Sequence, residues 1–124
     1  MEMKEMVAKR WFIFLAAALA ANATAAEAPP PALFVVHFET GPNWNKSLAP
    51  KDQPSFREHS ANLNRLRDEG IIVFGARYDD LGMVFLKVDT LDRAKSLMEA
   101  DPGVRSGIFS YRAAPLRVFY PWQK

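Results

Sequence analysis

Residues 1–25 limit what this chain can fold into, because they have the composition of an export signal rather than of a domain. Met1–Arg10 has a net positive charge, and the uncharged, mostly apolar segment Trp11–Ala21 follows it. A helix needs about 20 apolar residues to cross a bilayer, so this shorter segment is typical of a signal peptide rather than of an uncleaved anchor. Ala23 and Ala25 predict cleavage after Ala25, with the next residue as a second site. We therefore expect a periplasmic or secreted protein.

The 99 residues that remain suffice for one small domain. Residues 26–31 are a proline-rich leader, and we expect a single domain over 32–124. The absence of cysteine excludes disulfides, thiol catalysis and thiolate metal sites. The domain keeps 13 basic and 12 acidic residues, spread without a cluster, so nucleic acid is not an expected partner. No membrane association is expected after cleavage.

Apolar periodicity and turn residues predict the element order β-α-β-β-α-β for this domain. Phe56, Leu63 and Leu66 recur at helical spacing in the first helix, which a capping box of Ser55 and Glu58 is expected to begin. The predicted segments are a strand at 32–39, a loop at 40–53, a helix ending at Gly70, strands at 71–78 and 83–88 joined by a turn at 79–82, a helix from Thr90 to Asp101-Pro102-Gly103, a strand at 107–114 and an aromatic tail at 115–124.

This order predicts an α+β fold of ferredoxin-like topology, with a four-stranded antiparallel sheet and two helices on one face. The first strand is apolar on both sides, since Leu33 and Val35 alternate with Phe34, Val36 and Phe38. Helices on one face leave the other face without cover. A second copy of the sheet is the simplest cover, so we expect a symmetric homodimer.

His59 is the residue most indicative of chemistry. It lies three residues after Phe56 and four before Leu63, so it faces the sheet along the apolar stripe. An imidazole in that place is a candidate general acid or base, with a structural core histidine as the alternative. Asp101, which precedes Pro102, is a candidate for orienting His59, with capping of the turn as its structural alternative.

Three further residues, His37, Trp44 and Arg112, are candidates for binding a small-molecule substrate. His37 lies on the first strand, Trp44 lies in a polar loop where it could cover a pocket, and Arg112 could bind a carboxylate or phenolate. Packed or exposed structural positions are the alternatives for all three. His37, Glu39 and His59 would form a weak metal-ligand set, so no metal is expected. The sequence has no glycine-rich phosphate loop, and no nucleotide cofactor is expected.

The most specific motifs of the sequence are the helix pattern His59-x-x-x-Leu63-x-x-Leu66-x-x-x-Gly70, a following strand that reaches Gly75, and the segment Ala100-Asp101-Pro102-x-Val104-x-x-Gly107-Ile108-Phe109. Together they resemble the YCII-related domain family over roughly Leu33 to Leu116. The resemblance implies a ferredoxin-like dimer of the dimeric α+β barrel group, with a cleft between the helices and the sheet of each subunit. It also implies that His59 and Asp101 are the catalytic pair.

Relatives in this family include a few dehydrochlorinases that degrade chlorinated aromatics, and most members have no assigned reaction. The family often has Arg-Pro-x-His where this chain has Phe56 three residues before His59, and Gly75-Ala76 stands for its usual Gly-Pro. Two hypotheses follow. One is a cofactor-free lyase- or isomerase-type enzyme that uses His59 and Asp101 on a small organic molecule. The alternative is a non-catalytic dimer that binds a small ligand or another protein.

Overall fold

A computed structural model describes residues 31–123, and four strands of this region form one antiparallel sheet. The elements are β1 (Ala32–Thr40), a 3₁₀ turn (Pro50–Asp52), α1 (Phe56–Asp68), β2 (Ile72–Tyr78), β3 (Leu81–Val88), α2 (Leu91–Glu99), α3 (Pro102–Arg105) and β4 (Phe109–Pro115). The strand order is β2-β3-β1-β4, with antiparallel neighbours throughout. The predicted α+β, ferredoxin-like topology is confirmed. The predicted signal peptide and nearly all of the proline-rich leader lie outside the described residues.

None of the helices within residues 31–123 has the length and apolar character needed to cross a bilayer.

Alternation along β1 decides which face of the sheet the helices cover. Phe34, Val36 and Phe38 are buried in one core cluster with Leu66 of α1 and Met98 of α2. Full burial of each such side chain contributes about 1.5–3 kcal/mol to folding. The intervening residues of β1 point to the opposite side of the sheet, called the open face below.

A β-bulge in β2 changes which of its residues face the helices. Ile72 is buried under them, but the register shifts after it and puts Phe74 opposite Phe85. The two rings lie 4.9 Å apart on the open face. Because one extra residue reverses the alternation of a strand, the next positions on the helix-covered side are Gly75 and Arg77.

The start of α1 differs from the prediction. Ser55 occupies the N-cap position with φ 66°, and its side chain makes no capping hydrogen bond. Side-chain capping needs an extended N-cap residue, so the predicted capping box with Glu58 is wrong. The loop before α1 is held instead by buried Gln53, whose side-chain amide donates to the carbonyls of Asn45 and Leu48 and accepts from the Asn45 N–H.

The end of α2 also differs. Asp101-Pro102-Gly103 was expected to end that helix, but these residues begin the separate one-turn helix α3. Asp101 is its N-cap and accepts hydrogen bonds from the N–H groups of Gly103 (3.0 Å) and Val104 (3.2 Å), with Pro102 at the first helical position. β4 then begins at Phe109, two residues later than predicted. The additional helix fixes the position of Asp101.

Candidate active site

Helices α1 and α3 bring His59 and Asp101 into contact. Nδ1 of His59 lies 2.6 Å from Oδ2 of Asp101. His59 is 6% exposed and Asp101 is completely buried. A carboxylate has no proton to donate, so Nδ1 donates this hydrogen bond, and in the neutral imidazole Nε2 then carries the lone pair. The structure therefore joins the two residues that the sequence singled out for acid–base chemistry.

The Asp101 carboxylate is held by donors on both of its oxygens. Oδ2 accepts from the Gly103 and Val104 N–H groups as well as from His59. Oδ1 accepts from Nδ2 of Asn62, at 2.8 Å. Hydrogen bonds to an ionised carboxylate are shorter and stronger than neutral ones, so this set fixes the orientation of the carboxylate and, through it, of the imidazole. Asn62 belongs to none of the motifs that indicated the site in the sequence.

Three phenylalanine rings surround the imidazole of His59. Their centroids lie 4.6 Å (Phe109), 5.3 Å (Phe38) and 6.2 Å (Phe56) from the centroid of its ring. Within residues 31–123, no fully buried side-chain nitrogen or oxygen lacks a hydrogen-bond partner. Nε2 of His59 has no hydrogen-bond partner among these residues.

A cavity of about 260 Å³ lies between α1 and the β2–β3 hairpin, and His59 lines it. Its floor contains Gly75 and Gly82. A Cβ at Gly75 would lie 3.7 Å from Cγ1 of Val84, and one at Gly82 would lie 3.7 Å from Cβ of Phe38, so both glycines face the core side. The space exists because these two positions have no side chains. The other lining residues are Phe38, Phe56, Ser60, Leu63, Ala76, Arg77, Asp80, Met83, Val84 and Phe109.

Arg77 is a candidate functional residue that the sequence analysis missed. It lines the same cavity as His59 and pairs across the hairpin with Gly82. Strict alternation from Ile72 would assign Arg77 to the open face, and the bulge reverses that assignment. Gly75 and Gly82 are the sequence signal for this cavity, because two glycines on adjacent strands leave space where side chains would otherwise lie.

Trp44 packs beside the aromatic wall of the cavity instead of covering the opening. Its ring centroid lies 5.6 Å from that of Phe109, and Trp44 is not one of the residues that line the cavity. Two backbone hydrogen bonds join the loop that bears Trp44 to the residues just before β4. The Gly41 N–H donates to the carbonyl oxygen of Ile108, and the Asn43 N–H donates to that of Gly107. Trp44 therefore contacts the site only indirectly, by packing against Phe109, which lines the cavity.

His37 and Arg112 lie on the open face, across the sheet from His59. They are cross-strand neighbours on β1 and β4 and line a groove of about 350 Å³. The structure therefore does not bring these two predicted substrate-binding residues to the His59 cavity, because the alternation of β1 points His37 away from the helices. For the same reason His37 and Glu39 cannot join His59 on one metal, and residues 31–123 contain no group of three potential metal ligands.

Ferredoxin-like topology, a buried carboxylate–imidazole pair and an aromatic-walled cavity define an α+β domain with a candidate acid–base site. The family model of the YCII-related domain matches residues 32–116. The chain belongs to this family, as its motifs predicted. Comparison with curated proteins gives no match.

Proposed function

We propose that this YCII-related domain is an acid–base catalyst of the lyase or isomerase type, acting on a small organic molecule. One observation carries the proposal: Nδ1 of His59 is held by buried Asp101, while Nε2 has no hydrogen-bond partner within residues 31–123 and His59 lines a cavity. A positioned imidazole with one nitrogen fixed and the other open to a ligand is the arrangement that general acid–base catalysis needs.

The proton transfer uses the side chains of the site alone. Nε2 takes a proton from carbon, and the positive charge that forms on the imidazole lies beside the Asp101 carboxylate. In an isomerisation, His59 returns the proton to a different atom of the same molecule. In an elimination, the electron pair of the broken C–H bond forms a double bond, and the leaving group departs with its own bonding pair.

The size and walls of the cavity favour a small, flat substrate. A dry cavity of about 150 Å³ holds benzene, so about 260 Å³ accommodates one substituted ring or a short chain. Phe38, Phe56 and Phe109 offer ring faces and edges on which an aromatic substrate can stack.

Deuterium exchange into phenylpyruvate, followed by proton NMR in D₂O, tests the proposal without knowledge of the natural substrate. The wild-type protein is expected to accelerate exchange at the carbon beside the carbonyl above the buffer rate. His59→Gln is expected to lower the accelerated rate about 100-fold or more. His37→Gln replaces the other histidine of the chain, on the opposite face, and is expected to retain exchange. Exchange by His59→Gln at the wild-type rate would refute the proposal.

The second candidate function is ligand binding without catalysis. It is favoured by the close aromatic packing around His59, which is 6% exposed, and by Phe56 at the position where the family often has arginine. On this alternative the wild-type protein gives no exchange above buffer, and His59→Gln binds phenylpyruvate as tightly as the wild type does.

We also propose that residues 1–25 direct export and are removed. The charged start, the short apolar run and the small residues before position 26 support this proposal. N-terminal sequencing of the protein recovered outside the cytoplasm is expected to begin at Ala26 or close to it, and a retained Met1 would contradict export.

A further inference from the structure

The charged groups at the cavity suggest which class of molecule it takes. Arg77 and Asp80 both line it, and both are exposed at the hairpin end of β2. The cross-strand partner of Arg77 is Gly82, so no side chain from that position competes with the arginine for space on the core side. An exposed arginine and the imidazole of His59 therefore line one cavity, and within residues 31–123 the second ring nitrogen of His59 has no hydrogen-bond partner.

Arg77 has no acidic partner within residues 31–123, in contrast to two arginines of α1. Arg65 forms an ion pair with Glu69 at 2.8 Å, and Arg67 forms one with Asp68 at 3.1 Å. Within residues 31–123, no carboxylate oxygen lies within ion-pair distance of the Arg77 guanidinium. The carboxylate of Asp80, which lines the same cavity, is also beyond that distance. The charge and the planar donor fork of Arg77 are thus available to a ligand.

We propose that Arg77 binds an anionic group, a carboxylate or phenolate, on a single-ring substrate, and so determines the substrate class of the site. This inference rests on the proposed function above. With the anion on Arg77 and the ring against Phe109 and Phe38, the other end of the substrate lies toward Nε2 of His59. Arg77 would also stabilise negative charge that moves onto a conjugated oxygen when His59 removes a proton from carbon.

Paired probes, benzoate and its neutral analogue benzamide, test the inference by NMR titration of the ¹⁵N-labelled protein. Amide shifts of Gly75 and Gly82 report occupancy of the cavity. Benzoate is expected to bind about tenfold more tightly than benzamide, since a hydrogen bond to a charged group is stronger than one to a neutral group. Equal affinity of the two probes, or no saturable shift with either, would overturn the inference.

Three variants assign the preference to one residue. Arg77→Gln is expected to remove the tenfold advantage of benzoate and to leave benzamide binding unchanged, and Arg77→Lys to retain part of the advantage. Asp80→Asn removes the carboxylate at the same mouth and is expected to strengthen benzoate binding. Arg93→Gln, an exposed arginine on α2, is the matched control and is expected to change neither affinity. A benzoate preference that survives in Arg77→Gln would contradict the assignment.

These titrations measure binding without turnover, so their outcome is separate from that of the exchange experiment. An anion preference lost in Arg77→Gln, together with no catalysed exchange, would support the ligand class and refute the catalyst. Exchange that depends on His59 but is unchanged in Arg77→Gln, with equal binding of the two probes, would support the catalyst and overturn the role of Arg77.

Discussion

Asp101 has two functions that depend on the same oxygen. Oδ2 caps α3 through the N–H groups of Gly103 and Val104, and it also holds Nδ1 of His59. From the sequence, capping of the turn and orientation of His59 were alternative roles for Asp101. The structure combines them, because a cap places the carboxylate at a helix start that packs against α1. The geometry of the candidate site is therefore part of the local folding of α3.

Asp101→Asn tests this double role. An amide has only one acceptor oxygen, so the variant cannot keep all of these hydrogen bonds. It loses either the bond from Asn62, or the bonds from His59 and from the N–H groups of Gly103 and Val104. A buried polar group left without its partner costs about 1–3 kcal/mol, and we expect a loss of about 2 kcal/mol in urea unfolding. Catalysed exchange should fall as well, because a neutral amide stabilises the protonated imidazole of His59 less than a carboxylate does.

Asp92→Asn is the matched control for that measurement. Asp92 is exposed in the first turn of α2, and surface substitutions of this kind change stability by about 0.5 kcal/mol or less. Equal unfolding free energies for the Asp101 and Asp92 variants would contradict the importance assigned to the Asp101 hydrogen bonds.

At the scale of elements, periodicity was sufficient for the fold but not for the site. The order of strands and helices followed from apolar alternation, helical spacing and breakers such as Gly70, which adopts φ 78° at the end of α1. The cap at Thr90 is also confirmed, as its side chain accepts from Arg93 N–H. These features depend on residues that are only a few positions apart, so they can be predicted from the sequence alone.

The bulge in β2 could not be predicted in this way. Residues 71–74 form a continuous apolar run, so alternation gives no sign of which residue is extra. The register depends on pairing with β3, which is a contact between segments. As a result, Arg77 was missed. His37 and Arg112 were assigned to the same ligand as His59, but the structure places both on the other face of the sheet.

Filling the floor of the cavity tests the role given to the glycines of the hairpin. A Cβ at Gly75 meets atoms at ordinary contact distances, and its φ is not in the left-handed region, so the backbone accepts a side chain there. Valine extends into the cavity, and we expect benzoate affinity to fall at least tenfold. The unfolding free energy should stay equal or rise by up to about 1 kcal/mol, because valine favours strands and glycine does not.

Ala76→Val is the control for Gly75→Val. Ala76 also borders the cavity, but it pairs with Met83, the cross-strand neighbour of His37, so its side chain points to the open face. It is expected to leave benzoate binding unchanged in the NMR titration. Similar losses in both variants would show that the strand, and not the cavity, accounts for the effect.

Tyr111 links β4 to α2 and gives the domain an alkaline pH dependence. Its hydroxyl donates to Glu99 at 3.0 Å. Burial, and then the hydrogen bond and charge of Glu99, raise the pKa of Tyr111 from 10.0 to about 12. The unfolded chain therefore loses this proton first, so the stability contributed by Tyr111 is present below pH 10 and is lost as the pH rises to about 12.

Urea unfolding between pH 10 and about 12 tests this linkage. Tyr111→Phe is expected to show a shallower fall in unfolding free energy across that range than the wild type. Tyr120→Phe is the control, because Tyr120 is 92% exposed, and it should follow the wild-type slope. A Tyr111→Phe slope equal to that of the wild type would contradict the linkage.

For the whole molecule, the open face of the sheet is the feature that the described chain leaves uncovered. Leu33, Val35 and Phe85 are half-buried there, and Phe74 and Tyr78 are 47% and 44% exposed. An apolar sheet face next to water is unfavourable and is typical of a surface that binds another protein. We propose that a second copy of the chain covers it, as a two-fold dimer in which the same patch meets itself.

Light scattering after size exclusion tests the dimer directly. The wild-type protein is expected to have twice the mass of one chain. Val35→Lys places an ammonium at the centre of the open face, where burial without a partner costs several kcal/mol, so this variant is expected to have the mass of one chain. Leu48→Lys alters an equally apolar residue in the loop before α1, 39% exposed, and should remain dimeric. A wild-type mass of one chain at all concentrations would refute the dimer. Loss of the dimer in both variants would refute its assignment to the open face.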